Sequence, residues 1–180
     1  MSNYRDEFLE NTYYLVFNQW FNKNILFENS DDYKTFVLYA MQHLIEMPQL
    51  VMSAYCILPS YFYFVIKNKE HWLMLSDFMR KVQVSYAMYL KKKEKNQENS
   101  KWLPVFGWRF KANIIEEESL EDIESCVAFE PIKNEFVEDI KSRPHTSAHQ
   151  VIETWYDCMS DTHIKIYNEW RKLYKKTFDD

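Results

Sequence analysis

The chain has 180 residues, enough for one domain with a true core and short for two. Apolar residues make up 47% and aromatics 18%, which argues against disorder. The net charge of −5 by itself argues against a nucleic-acid binder, and the single glycine, Gly107, excludes the glycine-rich phosphate loops of Rossmann and P-loop proteins.

Residues 12–21, TYYLVFNQWF, are aromatic and partly alternating, the pattern of a strand. NKNILFENSDD follows as a turn-rich connection. Ser30 or Asp31 then caps a helix to about Met47, with Phe36, Tyr39, Ala40, His43 and Leu44 at helical spacing and Pro48 as its stop. Two strands follow, 50–58 and 61–67, separated by Pro59 and Ser60. A long helix over 72–93 carries the apolar stripe Leu75, Phe78, Met79, Val82, Tyr86 and Tyr89 or Leu90. After a polar basic loop, 91–101, residues 105–118 read as a strand bent at Gly107. Ser119 opens a short helix ended by Pro131, with Glu121 and Asp122 suited to its first turn. The last stretch, about 148–177, repeats Ile152, Met159, Ile166 and Leu173 every seven residues, a long helix with an apolar seam.

Antiparallel pairing of these strands gives an α+β sandwich: a ferredoxin-like antiparallel sheet with helices on one face, plus a long C-terminal helix. The expected division is a domain over 1–148 and a helical extension over 149–180. Three widely spaced cysteines, Cys56, Cys126 and Cys158, offer neither a CxxC zinc pair nor an even disulfide framework. With a polar N-terminal stretch unlike a signal peptide and no apolar run of membrane-spanning length, a cytoplasmic protein is expected. Charge is uneven. Residues 79–111 hold nine Lys/Arg and two Glu, a net of +7; residues 112–140 hold one Lys and ten Asp/Glu, a net of −9. The first stretch is a candidate anion-binding face, and the second would repel phosphate; both also fit solvated faces.

Several segments together resemble the REP-associated tyrosine transposases, a family of single-tyrosine transposases. YYLVFNQWFNKNILFENSDDYKTF is similar to the family's opening strand and its Leu-Phe before the first helix. AYCILPSYFYFVI resembles its strand, Pro, Asn, then His-hydrophobic-His strand. LSDFMRKVQVSYAMYLKKK resembles its long helix, VFGWRFKANIIEEE its W-x-x-R-F-K strand, and SCVAFEPIKNEFVED the segment around its nucleophile. The likeness spans roughly residues 11–148 and is a collinear series of moderate motifs.

The resemblance implies a chemistry in which two histidines, with a polar residue on the nucleophile helix, hold Mg²⁺ or Mn²⁺ and a tyrosine attacks the phosphate of single-stranded DNA. Carried over, the histidine positions hold Tyr61 and Tyr63, the nucleophile position holds Cys126, and the polar position one turn later holds Glu130. Neutral tyrosine is a poor ligand for a hard cation. The resemblance thus implies no metal cofactor and a catalytically inactive homologue. Tyr61 and Tyr63 fit either aromatic packing on a sheet face or a stacking platform for unpaired bases. Cys126, among acidic neighbours, reads as a small apolar residue. Arg109 and Lys111, two apart on a strand, with Arg80, Lys81, Lys91, Lys92 and Lys93, could track a phosphate backbone. His145 and His149 stand four apart but lack an evident third ligand, and no Ser, His and Asp spacing points to a triad.

Three functions follow. The chain binds hairpin or single-stranded DNA without transposition chemistry; or the scaffold serves as a protein-interaction module; or a rebuilt active site uses another tyrosine, such as Tyr86 or Tyr156. The C-terminal seam fits packing on the domain or a homodimer contact, with Trp155 and Trp170 as anchors. No membrane partner is expected.

Overall fold

Strand alternation sorts the aromatic residues onto two faces, and the rest of the architecture follows from that sorting. The computed structural model of the protein describes residues 8–19, 25–70, 73–94, 105–106 and 109–133. Its elements are β1 (Thr12–Gln19), α1 (Ser30–Glu46), β2 (Leu50–Leu58), β3 (Tyr61–Asn68), α2 (Leu73–Glu94), β4 (Lys111–Ile115), a 3₁₀ turn (Glu117–Ser119) and α3 (Leu120–Lys133). The strands form one sheet in the order β2-β3-β1-β4, every neighbouring pair antiparallel. This is the ferredoxin-like antiparallel α+β sheet expected from the sequence, but the helices do not all lie on one face as expected: the short third helix packs on the other. The expected C-terminal helix and the boundary at 148/149 lie outside the described residues.

On one face, Tyr14 and Val16 of β1, Ile57 of β2, and Phe62, Phe64 and Ile66 of β3 meet α1 and α2. Phe36 and Ala40 come from α1, and Leu75, Phe78, Met79, Val82 and Tyr86 from α2, all buried. The α2 stripe read from the sequence is therefore the core stripe. Phe36 contacts Phe62, Phe64 and Tyr86 with ring centroids 4.9–6.0 Å apart, an aromatic hub between the two helices and the sheet. The third helix takes the opposite face. Val127 of α3 is buried with Ala54, Cys56 and Leu58 of β2, Val65 of β3 and Ile115 of β4. The three described helices thus enclose the sheet from both sides, α1 and α2 together on one face and α3 on the other.

Strand β2 changes faces partway. Leu50 and Met52 contribute to the α1/α2 side, and so do Tyr55 and Ile57, which differ from them in parity. The register shift against β3 between Met52 and Ala54 absorbs the extra residue, Ser53. Pro59 and Ser60 close the β2–β3 hairpin, whose last pair is Leu58 opposite Tyr61. The Pro59 carbonyl accepts the Leu26 and Phe27 N–H groups at 2.6 and 3.2 Å, pinning the hairpin tip to the segment before α1.

Three boundaries differ from the sequence reading. The N-cap of α1 is Asn29, not Ser30 or Asp31: its Oδ1 accepts the Asp31 and Asp32 N–H groups at 3.0 and 3.1 Å. Strand β4 covers five residues rather than 105–118. Among the described residues it pairs only with β1, and with Tyr13 opposite Ile115, β1 is nearly exhausted at that end. Helix α3 continues past Pro131 to Lys133. A proline in the last turn removes one hydrogen bond near the end and leaves the earlier turns intact.

One buried charge anchors the helix pair. Asp32, at N3 of α1, completes the capping box, and its side chain is fully buried. Its carboxylate accepts the Glu28 and Asn29 N–H groups at 3.0 and 3.3 Å, the Tyr89 hydroxyl at 2.9 Å, and the Lys93 ammonium at 2.9 and 3.0 Å. Burial pushes this carboxyl up. The hydrogen bonds from Lys93, Tyr89 and Glu28 outweigh burial and hold it below its ordinary value. Lys93, which also donates to Glu28 at 3.1 Å, is held above its ordinary value by the same bonds despite partial burial.

The folded Asp32 binds its proton more weakly than the unfolded one. Its contribution to stability is therefore fully present at neutral pH and lost as pH falls through the carboxylate range, below about 4. Replacement by alanine removes the buried acceptor of the Tyr89 hydroxyl and leaves the Lys93 charge only the exposed Glu28 carboxylate. Asp32→Ala is expected to lower stability by about 3 kcal/mol at pH 7 and to flatten the acid limb of the stability–pH profile. Chemical denaturation of the variant and the parent at pH 7 and pH 3 checks both.

Candidate functional site

The face of the sheet shared with α3 carries the residues of interest. Tyr61 and Tyr63 point there from β3, half-buried, and pack against the cluster that contains Val127. Cross-strand register sets their neighbours. Tyr63 stands between Cys56 of β2 and Phe17 of β1, and Phe17 stands opposite Lys111 of β4. A row therefore runs across all four strands: Cys56, Tyr63, Phe17, Lys111. The Tyr61 and Tyr63 rings meet edge to face at 5.5 Å, and Tyr63 tilts against Phe17 at 5.8 Å. The Lys111 ammonium lies 6.0 Å from the centroid of the Phe17 ring. Two positions along β1, Leu15 lies between Val65 and Asn113, and the next pair repeats the motif: the Lys67 ammonium stands 4.9 Å over the Tyr13 ring.

Helix α3 brings Cys126 and Glu130, four residues apart and half-buried, to this side of the sheet, beside the buried Val127. The resemblance would put a divalent cation between these elements. The donor set does not fit one. Tyr61 and Tyr63 are held as an aromatic pair, and phenols that keep their proton at neutral pH bind hard cations poorly. Among the described residues, no three His, Cys, Asp or Glu side chains come together as a possible metal site. His145 and His149 lie outside the described residues.

The basic residues scatter over four places. Lys111 stands on the α3 face beside Phe17. Arg80 and Arg109 instead line a groove of about 450 Å³ between α2 and Val105, Phe106, Arg109 and Phe110. Arg109 precedes β4, so Arg109 and Lys111 do not form the pair on one strand face that their spacing implies. Lys81 reaches Glu46 at 3.5 Å, while Lys91 and Lys92 are exposed on the last turn of α2. Lys93, counted by the sequence among phosphate-tracking cations, is committed to the buried Asp32. Aromatic and cationic neighbours that the sequence reading passed over, Tyr13, Phe17 and Lys67, join the site through register. The signal for them was parity: Tyr13, Leu15 and Phe17 alternate with the core residues of β1.

Two other chemical arrangements are inconsistent with catalysis. Tyr86, a candidate for a rebuilt active site, is fully buried in the helix core. Its hydroxyl donates to the Leu26 carbonyl at 3.1 Å, and burial pushes the phenol far up. Tyr156 lies outside the described residues. His43 Nε2 contacts Ser85 Oγ at 3.0 Å, and its Nδ1 contacts Glu46 at 3.3 Å, the contact order of a serine–histidine–acid relay. Ser85, however, sits in the middle of α2, where neighbouring N–H groups are committed to the helix and none is left to stabilise an oxyanion. The arrangement ties α1 to α2. Its members are 42 residues apart in sequence, beyond any local motif.

No protein-family model and no curated protein matches the sequence. Among solved structures, the chain is similar to a REP-associated tyrosine transposase bound to a REP hairpin, with a TM-score of 0.65 and 13% identity over 83% of this chain and 84% of that one. A transposase candidate from Deinococcus radiodurans aligns with a TM-score of 0.45 and 14% identity over 69% of this chain and 94% of that one. The first likeness establishes that the chain has the transposase fold, in line with the resemblance read from the sequence. Among the described residues, no helix is long and apolar enough to cross a membrane.

The unsuitable donor set predicts that millimolar Mn²⁺ leaves the melting temperature unchanged. A rise of several degrees that Tyr63→Phe abolishes would instead reveal phenol ligation. Differential scanning fluorimetry with and without the ion distinguishes the two.

Proposed function

We propose that the chain is a divergent relative of the REP-associated tyrosine transposases that binds hairpin or single-stranded DNA across the α3 face of its sheet and does not perform transposition chemistry. The observation that carries this reading is the row Tyr63, Phe17 and Lys111, with Lys67 over Tyr13 beside it. Aromatic side chains on a sheet offer flat apolar surfaces to unpaired bases, and ammonium groups at their margin attract the phosphates between them. A similarly folded transposase is bound to a DNA hairpin, which supports DNA as the class of partner. On the carry-over, Tyr61, Tyr63 and Cys126 occupy the positions where the family holds its metal ligands and nucleophile, and this supports the absence of strand cleavage.

The overall negative charge works against DNA affinity at long range. Glu116, Glu117, Glu118, Glu121 and Asp122 are all exposed around the start of α3. Binding is thus confined to a local cationic margin and is steeply salt-dependent.

A protein-interaction module is the second reading. It is favoured by Leu38 and Ile45, seven residues apart and exposed on α1, together with the acidic start of α3. That reading expects no salt-sensitive DNA affinity.

Lys111→Ala is expected to weaken hairpin binding severalfold and to reduce the salt slope of log K by about one. Adding Phe17→Ala should bring the loss to roughly tenfold to a hundredfold. Fluorescence anisotropy with a DNA hairpin at two salt concentrations, with a denaturing gel for covalent products, provides the test. Unchanged affinity and slope in the double variant contradict the reading, and a covalent adduct contradicts the absence of cleavage.

A further inference from the structure

The groove beside α2 lies on the opposite side of the sheet from the aromatic row, where Phe106 and Phe110 pack against the helix core. Val84, Phe106 and Phe110 give it apolar walls, and Arg80 and Arg109 stand among them. Val84 is 50% exposed, a large apolar side chain on the surface of the helix. Asp77 accepts from Arg80 Nε at 3.2 Å and Nη2 at 2.6 Å, which partly offsets that charge and holds the guanidinium in place. An apolar trough with two guanidinium groups suits an occupant that is apolar along one side and acidic at its margin. An acyl chain offers no anion, and a basic segment would be repelled.

This chain contains such a segment. Ile152, Tyr156, Met159, His163 and Ile166 recur at helical spacing, three or four residues apart. Glu153, Asp157 and Asp161 recur every four residues, which on a helix sets them along one flank of that seam. Like charges at this spacing destabilise an isolated helix, and Thr154, Ser160 and Thr162 are weak helix formers. A helix over 152–166 therefore needs a surface that buries the seam and faces the acids with cations. The second half of the seam carries Arg171, Lys172, Lys175 and Lys176, the wrong charge for this groove. Reach is sufficient. Helix α3 ends at Lys133 on the far face, and residues 134–151 span about 60 Å when extended, against a spacing of about 5 Å between neighbouring strands. A helix over 152–166 is about 22 Å long, which covers the stretch of α2 from Ser76 to Ala87 that lines the groove.

We propose that residues 152–166 dock in this groove of their own chain as an amphipathic helix, with the seam on Val84, Phe106 and Phe110 and the acidic flank toward Arg80 and Arg109. The docked helix forms a further layer outside α2. It leaves the aromatic row on the other face uncovered, so the assignment stands independently of the DNA-binding reading.

Amide hydrogen exchange of the full chain, read by mass spectrometry over residues 152–166, is the test. In the parent chain this segment is expected to exchange on the order of tenfold more slowly than an unstructured peptide. Arg80→Glu with Arg109→Glu, and separately Val84→Glu, should each abolish that protection. All three positions are exposed, and thermal melts establish that the variants are folded. Adding Glu153→Arg, Asp157→Arg and Asp161→Arg to the arginine pair should restore the protection, which a general loss of stability would not do. Fast exchange in the parent chain, protection that survives the groove variants, or charge reversal that fails to restore it overturns the assignment. Protection that falls on dilution also overturns it, and gives the groove to the same segment of a second copy.

Discussion

The antiparallel pairing of β1 with β3 at the centre of the sheet is the constraint on which the rest depends. Register places Val16 opposite Phe64 and Phe17 opposite Tyr63, and neighbouring pairs point to opposite faces. One parity supplies the fully buried layer beneath α1 and α2. The other supplies the half-buried Tyr13, Phe17, Tyr61 and Tyr63 on the side that α3 shares. A slip of one residue would exchange the two sets, exposing phenylalanines and burying lysines. The core and the candidate binding surface are therefore two readings of one pairing, and neither could be altered in register without the other.

The helix layer is fixed by a different kind of interaction. Asp32 closes the first turn of α1 and reaches Tyr89 and Lys93 on α2, and His43 and Ser85 make a second tie between the same helices. These polar contacts sit at the margin of an aromatic interior and orient the two helices. They also explain why two chemically suggestive groups, the Ser85–His43–Glu46 chain and the Tyr86 phenol, serve the fold. The first has no donors for a developing charge, and the second is sealed in the core.

Much of the fold was legible because its signals are local. The α2 stripe, the Pro59–Ser60 hairpin and the alternation of β1 all come from periodicity and turn chemistry. The order of the elements then leads to the sheet. The misread boundaries were set by partners instead. Asn29 rather than Ser30 caps α1 because Asp32 completes its capping box, and β4 ends with Ile115 opposite Tyr13, one residue from the start of β1. The bulge at Ser53 hides the parity of β2 from any inspection of alternation. For the site, the spacing of Tyr61 and Tyr63 announced a shared face, but Phe17 entered only through cross-strand register. The pairing of Lys93 was not legible because its acceptor, Asp32, is 61 residues away in sequence. Arg109 and Lys111 parted because Arg109 falls outside the strand whose alternation would have aligned them.

A scaffold of this kind can separate recognition from chemistry. Stacking and phosphate attraction need only surfaces and charge, whereas metal-assisted cleavage needs ligands of the right hardness in a defined geometry. On the function proposed above, phenols at 61 and 63 would serve the former and not the latter. The most direct test of that account is a map of backbone amide chemical-shift changes during titration with a DNA hairpin. The account predicts changes concentrated along β1, β3 and β4 around Phe17, Tyr63 and Lys111, diminishing as salt is raised. Changes confined to α1 around Leu38 and Ile45, or no changes at low salt, would contradict it.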